Sequence, residues 1–216
     1  MGFPTKFINF VKNMRTIRII TGFFITGMFL CGFVFLRQQN KPVSVSAEGE
    51  SIKWHSFQEA VELCKKEKKK IFIDVYTDWC GWCKVMDKNT FTNPVIAKYM
   101  NQKYYAVKLN AEMKDTIVFN NYSFVNPSPK TPRSTHQLAS SLLNNQLSYP
   151  TVVFLDENFS MLTQVPGYQK PEQMEPILKY FGENAYPNTK WDEYSKAFKG
   201  EVVPAPPAPA PVVAPH

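Results

Sequence analysis

Histidine and cysteine are scarce in this chain, three and four among 216 residues. A structural zinc site normally takes four paired nitrogen or sulfur ligands, and Cys80 and Cys83 have no second Cys or His pair at ligand spacing to complete one. No metal is therefore expected. Haem attachment would need histidine directly after Cys83, where Lys84 stands. Only Cys80 and Cys83 are close enough in sequence to form a local pair, which is not a disulfide scaffold; Cys31 lies in an apolar run and Cys64 in an expected helix, both read as small packing residues. His55, His136 and His216 share no site-like spacing and are assigned no role. No internal repeat is present, and no basic stripe interleaved with aromatics. The formal charge of +7 comes largely from residues before the N-terminal apolar run and from Lys65 to Lys70, so nucleic acid is not an expected partner.

What is present divides the chain into five parts. Residues Ile17 to Leu36 are almost wholly apolar, and as a helix rising about 1.5 Å per residue they span about 30 Å, the hydrocarbon thickness of a bilayer. Lys6, Lys12 and Arg15 precede this run and Arg18 stands at its start, which places residues 1–16 in the cytoplasm and exports the remainder of the chain. Val45-Ser46-Ala47 keeps a cleaved signal peptide open as the alternative. The distance from Leu36 and the length of the run favour an uncleaved transmembrane helix at 17–36. Residues 37–51 read as a polar linker, 52–200 as the folded domain, and 201–216 as a Pro/Ala-rich disordered tail.

Within the domain, Ser56 and Glu59 form a capping box that starts a helix running to Lys68. Ile71 to Thr77 reads as a buried strand with Asp74 its one acidic interruption. A helix follows through Cys83 to Lys88, and Asn93-Pro94 starts another. Tyr104 to Leu109 is the next strand, then a hairpin over Thr116 to Val125 turned at Asn120-Asn121. Ser134 is placed to cap a helix to Asn144; Thr151 to Leu155 and Met161 to Val165 read as an antiparallel pair. A helix from Glu172 to Phe181 carries Pro176 where it would kink, and Thr189 is placed to cap a last helix to Lys199.

The chemistry is concentrated at Cys80-Gly81-Trp82-Cys83, at the end of a strand and the start of a helix. A thiolate there meets unsatisfied backbone donors and the positive end of the helix dipole. Cys80 is the candidate nucleophile, and Cys83, one turn on, is placed to resolve a mixed disulfide. An inert structural disulfide is the competing reading of the pair.

The segment Asp74-Val75-Tyr76-Thr77-Asp78-Trp79-Cys80-Gly81-Trp82-Cys83-Lys84 resembles the active-site segment of the thioredoxin family. Asp74 matches that family's buried acid, Lys108 the lysine near it, Tyr149-Pro150-Thr151 the cis-proline segment, and Gly167 the glycine after the last strand. Trp82 departs from the usual proline between the cysteines. The resemblance covers about Ile52 to Phe181 and is nearest the C-terminal domain of transmembrane disulfide reductases. It implies an α/β thioredoxin fold: a central mixed sheet flanked by helices, with an insertion at 111–145 before the cis-proline strand.

It implies an exported thiol–disulfide oxidoreductase, working as a reductase on protein disulfides by dithiol exchange. The redox-active pair Cys80–Cys83 would be the only redox group, with no separate cofactor. Its partners would be protein thiols and disulfides, with a membrane disulfide reductase as electron donor. The protein would be a single-pass inner-membrane protein with its catalytic domain in the periplasm. Asp74 would accept the Cys83 proton, opposed by Lys108, while Trp79, Gly81, Trp82, Tyr149 and Pro150 would bind substrate. An oxidase or isomerase, and a non-catalytic peptide-binding module, are the alternatives.

Overall fold

The computed structural model describes residues 50–204. The transmembrane helix expected at 17–36, the cytoplasmic 1–16, linker residues 37–49 and tail residues 205–216 lie outside the described residues. Among the described residues, no helix is long and apolar enough to cross a membrane.

The chain enters the fold through a two-residue strand, β1 (Trp54–His55), followed by α1 (Phe57–Lys66). The capping box forms as expected: Ser56 Oγ accepts the Glu59 N–H and the Glu59 carboxylate accepts the Ser56 N–H at 2.8 Å. Strand β2 (Lys70–Tyr76) leads to α2 (Gly81–Asn89), and Asn93 with Pro94 starts α3 (Pro94–Lys103). After β3 (Tyr104–Asn110) come the short strands β4 (Ile117–Phe119) and β5 (Tyr122–Phe124), joined by Asn120 and Asn121 at φ 50° and 62°. Both asparagines thus adopt the left-handed conformation that a two-residue hairpin turn requires. Helix α4 (Gln137–Leu142), strands β6 (Thr151–Leu155) and β7 (Met161–Pro166), and helices α5 (Pro171–Gly182) and α6 (Trp191–Ala197) complete the order.

Five strands form one mixed sheet in the order β1-β3-β2-β6-β7, with β1, β3 and β2 parallel, β6 antiparallel to β2, and β7 antiparallel to β6. This is a thioredoxin-like α/β fold. Because side chains alternate across a strand, β2 feeds two cores. Ile71, Ile73 and Val75 join the cluster with α1 and α4 residues, while Phe72 joins the opposite cluster with Met86, Met100 and Leu178. Asp74 continues the Phe72 face, and register pairs it with Lys108. Alternation alone therefore carries an acid and a lysine to the side of the sheet that α2 covers.

Several expectations about helix ends need correction. Ser134 does not cap α4; its hydroxyl donates to Asn126 Oδ1 at 2.6 Å, and His136 takes the cap, with Nδ1 accepting the Leu138 N–H. Thr189 does not cap α6 either, because its N–H returns to Ala185 and its carbonyl accepts the Tyr180 hydroxyl; Lys190 holds the cap position, and the helix stops at Ala197. Helix α5 runs uninterrupted through Pro176. Within it, Glu175 is almost fully buried and accepts backbone N–H bonds from Glu201 and Val202, and the Val202 side chain is buried. The fold thus includes two residues that composition had assigned to the tail.

Candidate active site

Cys80 and Cys83 form a disulfide, with their Cα atoms 5.3 Å apart. Cys80 is the N-cap of α2: its backbone is extended, and its sulfur accepts the Cys83 N–H at 3.1 Å. The sulfur therefore stands where an N-cap side chain normally satisfies an orphan donor, with the helix dipole favouring negative charge on it. Cys80 and Cys83 are 5% and 2% exposed, between the open side chains of Trp79 at 51% and Trp82 at 61%. Beyond its two chain neighbours, a Cβ on Gly81 would meet nothing within 4 Å.

A charged network ties β2 and β3 to α2. Asp74, wholly buried, accepts a hydrogen bond from Lys108 Nζ at 2.6 Å through Oδ2, while Oδ1 has no hydrogen-bond partner among the described residues. Lys108 Nζ also bonds Asp87 on α2, one turn beyond Cys83. The same ammonium lies over the rings of Tyr76, Trp54 and Phe91 at 4.8, 5.1 and 5.5 Å. Burial pushes the Asp74 carboxyl up to about 6, against the opposing pull of Lys108. Burial also draws Lys108 down, but its two carboxylates outweigh that and leave its pKa raised, so it stays charged at neutral pH.

The exposed side is aromatic. The Tyr149–Pro150 peptide is cis, and Thr151 pairs with Val75, which sets this segment beside the strand end that leads to Cys80. Gly167, at φ 86°, donates its N–H to the Pro150 carbonyl at 2.8 Å, a backbone conformation that favours glycine. Tyr149 meets the Trp79 ring edge to face at 5.9 Å, and Trp82 stacks on Tyr168 at 5.5 Å. The Trp79 indole N–H donates to Glu112 at 2.7 Å, and the Arg133 guanidinium lies 5.0 Å over the Trp79 ring.

Trp79, Cys80, Gly81, Trp82, Cys83, Tyr149 and Pro150 thus gather at one end of the sheet, and Asp74 and Lys108 lie on the face that α2 covers. Sequence reading missed Asp87, Glu112, Arg133 and Tyr168. Asp87 carried a usable signal, since it sits four residues after Cys83 and so one turn along the same helix face. Glu112, just past β3, carried a weaker one. Arg133 and Tyr168 carried none, because tertiary packing alone brings them here.

The family model Thioredox_DsbH (protein of unknown function, DUF255) matches residues 35–178. The chain is 32% identical over 83 residues to an uncharacterized protein of Caenorhabditis elegans, covering 38% of this chain and 11% of that protein. To spermatogenesis-associated protein 20 of Mus musculus it is 28% identical over 83 residues, covering 38% and 10%. To the thiol:disulfide interchange protein DsbD of Haemophilus ducreyi it is 30% identical over 104 residues, covering 48% and 15%. The chain spans 10 to 15% of the length of these curated relatives. Among solved structures, a DsbH oxidoreductase aligns with TM-score 0.46 at 17% identity, covering 68% of this chain and 92% of that one. The oxidised C-terminal domain of Neisseria meningitidis DsbD aligns with TM-score 0.36 at 17% identity, covering 59% and 90%. With more than half of its residues matched by one family model, the chain belongs to the Thioredox_DsbH family.

Proposed function

We propose that this protein is a thiol–disulfide oxidoreductase that reduces protein disulfides through Cys80 and Cys83. The observation that carries the reading is a disulfide whose first sulfur caps α2 and accepts the Cys83 N–H, on a helix that Asp87 and Lys108 tie to the fully buried Asp74 carboxyl. In the dithiol form, the Cys80 thiolate attacks a substrate disulfide. One substrate sulfur joins Cys80 in a mixed disulfide and the other leaves as a thiolate. Cys83 then loses its proton and attacks the Cys80 sulfur, which restores the Cys80–Cys83 bond and releases the second substrate thiolate. Two electrons pass to the substrate.

Asp74 is suited to accept the Cys83 proton because its pKa, raised by burial to about 6, is closer to that of a thiol than an ordinary carboxylate's. Lys108 keeps the ionised form accessible. Trp79, Trp82, Tyr149 and Pro150 hold the incoming chain as an extended segment. The electron pair resides on the cysteines, so no bound cofactor is needed. A dithiol protein, such as a membrane disulfide reductase, regenerates the reduced pair. The apolar run at 17–36 with basic residues before it supports an inner-membrane anchor and a periplasmic catalytic domain.

Direction is decided by equilibration with glutathione followed by trapping of free thiols. A potential below about −200 mV supports the reductase, and one near −120 mV turns the reading into an oxidase. Absence of any exchange with a protein disulfide would leave only a peptide-binding module.

A further inference from the structure

We propose that Arg133 is a specificity residue, selecting substrate segments that carry a carboxylate beside the reacting cysteine. This rests on the reading of Cys80–Cys83 as an exchange centre.

The loop that carries Arg133 is closed by Asn126. Its buried side-chain amide donates to the Met113 and Ser134 carbonyls at 3.2 and 2.7 Å, and its Oδ1 accepts the Ser128 N–H and the Ser134 hydroxyl at 3.1 and 2.6 Å. Two backbone bonds fasten the next residues, from the His136 N–H to Ala111 and from the Gln137 N–H to Val125. Arg133 itself has φ 61°, a conformation uncommon for a side chain of its size. The consequence of this construction is a guanidinium 5.0 Å over Trp79, the residue immediately before Cys80.

A guanidinium laid over an indole keeps its N–H edge free, and that edge matches a carboxylate with two parallel hydrogen bonds. Among the described residues Arg133 makes no ion pair. Glu112 stands on the same indole, but its carboxylate is held by the Trp79 N–H, which directs it to the ring edge. Arg133 and Trp79 are both exposed and Trp79 directly precedes Cys80, so a segment bound at Cys80 comes within reach of the guanidinium. An acidic side chain next to a substrate cysteine fits this edge, and a basic one is repelled.

The test uses the full chain and two synthetic peptides. Each has one internal disulfide, and they are identical except for Glu or Lys beside one cysteine. Reduction rates are followed with dithiothreitol as regenerant. The wild type should reduce the Glu peptide about fivefold faster than the Lys peptide, the size expected of one exposed charge pair. That preference should shrink as salt is raised. Arg133→Glu should invert it. Arg133→Gly, which suits the positive φ and removes the charge, should abolish it. Equal rates for the wild type, or an unchanged ratio in Arg133→Glu, would overturn the assignment of Arg133 while leaving the oxidoreductase intact. Failure of the wild type to reduce either peptide would sink both.

Discussion

The two sides of the disulfide are built on different principles. The inner side is a few charged groups held by the sheet: Asp74 and Lys108 face each other in strand register, and Asp87 joins them from α2. The outer side is aromatic and open, with Trp79, Trp82, Tyr149 and Tyr168 meeting in pairs around two cysteines that are themselves nearly covered. A proton needs an environment that stays the same from partner to partner, and the sheet supplies it. A partner chain needs surface, and surface comes from loops, including the long connection between β3 and β6.

Mutations on the two sides should therefore differ in what they change. The largest effects come from the cysteines, which both sides serve. Cys80→Ser should reduce exchange to background, and Cys83→Ser should leave attack possible but halt resolution, so that partners accumulate as mixed disulfides on non-reducing gels. If Cys83→Ser captures nothing through Cys80, the two roles have been assigned wrongly.

On the inner side, Asp74→Asn should act on stability as well as on resolution. The folded carboxyl titrates near 6 against 3.8 in its ordinary state, so the pH-dependent penalty of its burial is absent below about pH 4 and grows as pH rises from there through about 6. Full ionisation costs about 3 kcal/mol, and Asn removes that term. Denaturant unfolding should show the variant stabilised at pH 7 relative to pH 4, compared with the wild type. A variant whose stability tracks the wild type at both pH values would mean that Asp74 is not held at a raised pKa.

Asn126→Ala tests how firmly the insertion is built. It removes a buried amide with four hydrogen bonds and should cost about 1 to 3 kcal/mol. Amide exchange should accelerate at Ser128 and Ser134 while β2 stays protected. Uniform acceleration across the sheet would show that the insertion is not a separable layer.

The smallest effect is expected on the outer side. Trp82→Ala removes an exposed ring stacked on Tyr168, so stability should change by less than about 0.5 kcal/mol. KM for a protein disulfide should rise about fivefold, in line with about 1 kcal/mol for one aromatic contact. A change in reduction potential larger than the change in KM would place Trp82 with the inner side.

What could be read from the sequence divides along the same line. Ser56 with Glu59, Asn93 with Pro94, Asn120 with Asn121, and the cysteine pair at a strand-to-helix junction are local signals, and each appears where expected. Asp74 and Lys108 were legible through the resemblance, because strand register keeps such pairs in order. Strand β1 was not, since two residues show no period. Ser134 reads as a cap in sequence, but Asn126 accepts its hydroxyl, and Thr189 reads as one, but Tyr180 donates to its carbonyl. In both cases a distant side chain had claimed a local group. Burial also draws the His136 imidazole down, consistent with its cap role as a neutral acceptor for Leu138.

The carboxylate of Glu175 has a consequence for how the chain can be cut. A protease must draw several residues into an extended conformation with their N–H groups free, and those of Glu201 and Val202 are engaged by a buried acid while the Val202 side chain lies in the core. Digestion from the C-terminal end should therefore stop sharply near Val203, which is 86% exposed, and leave a product of uniform mass. Glu175→Ala would move that stop inward towards Gly200 and blur it. The position of one side chain on α5 thus sets where this domain ends for any enzyme that degrades it, and where a fused segment can be attached without disturbing the fold.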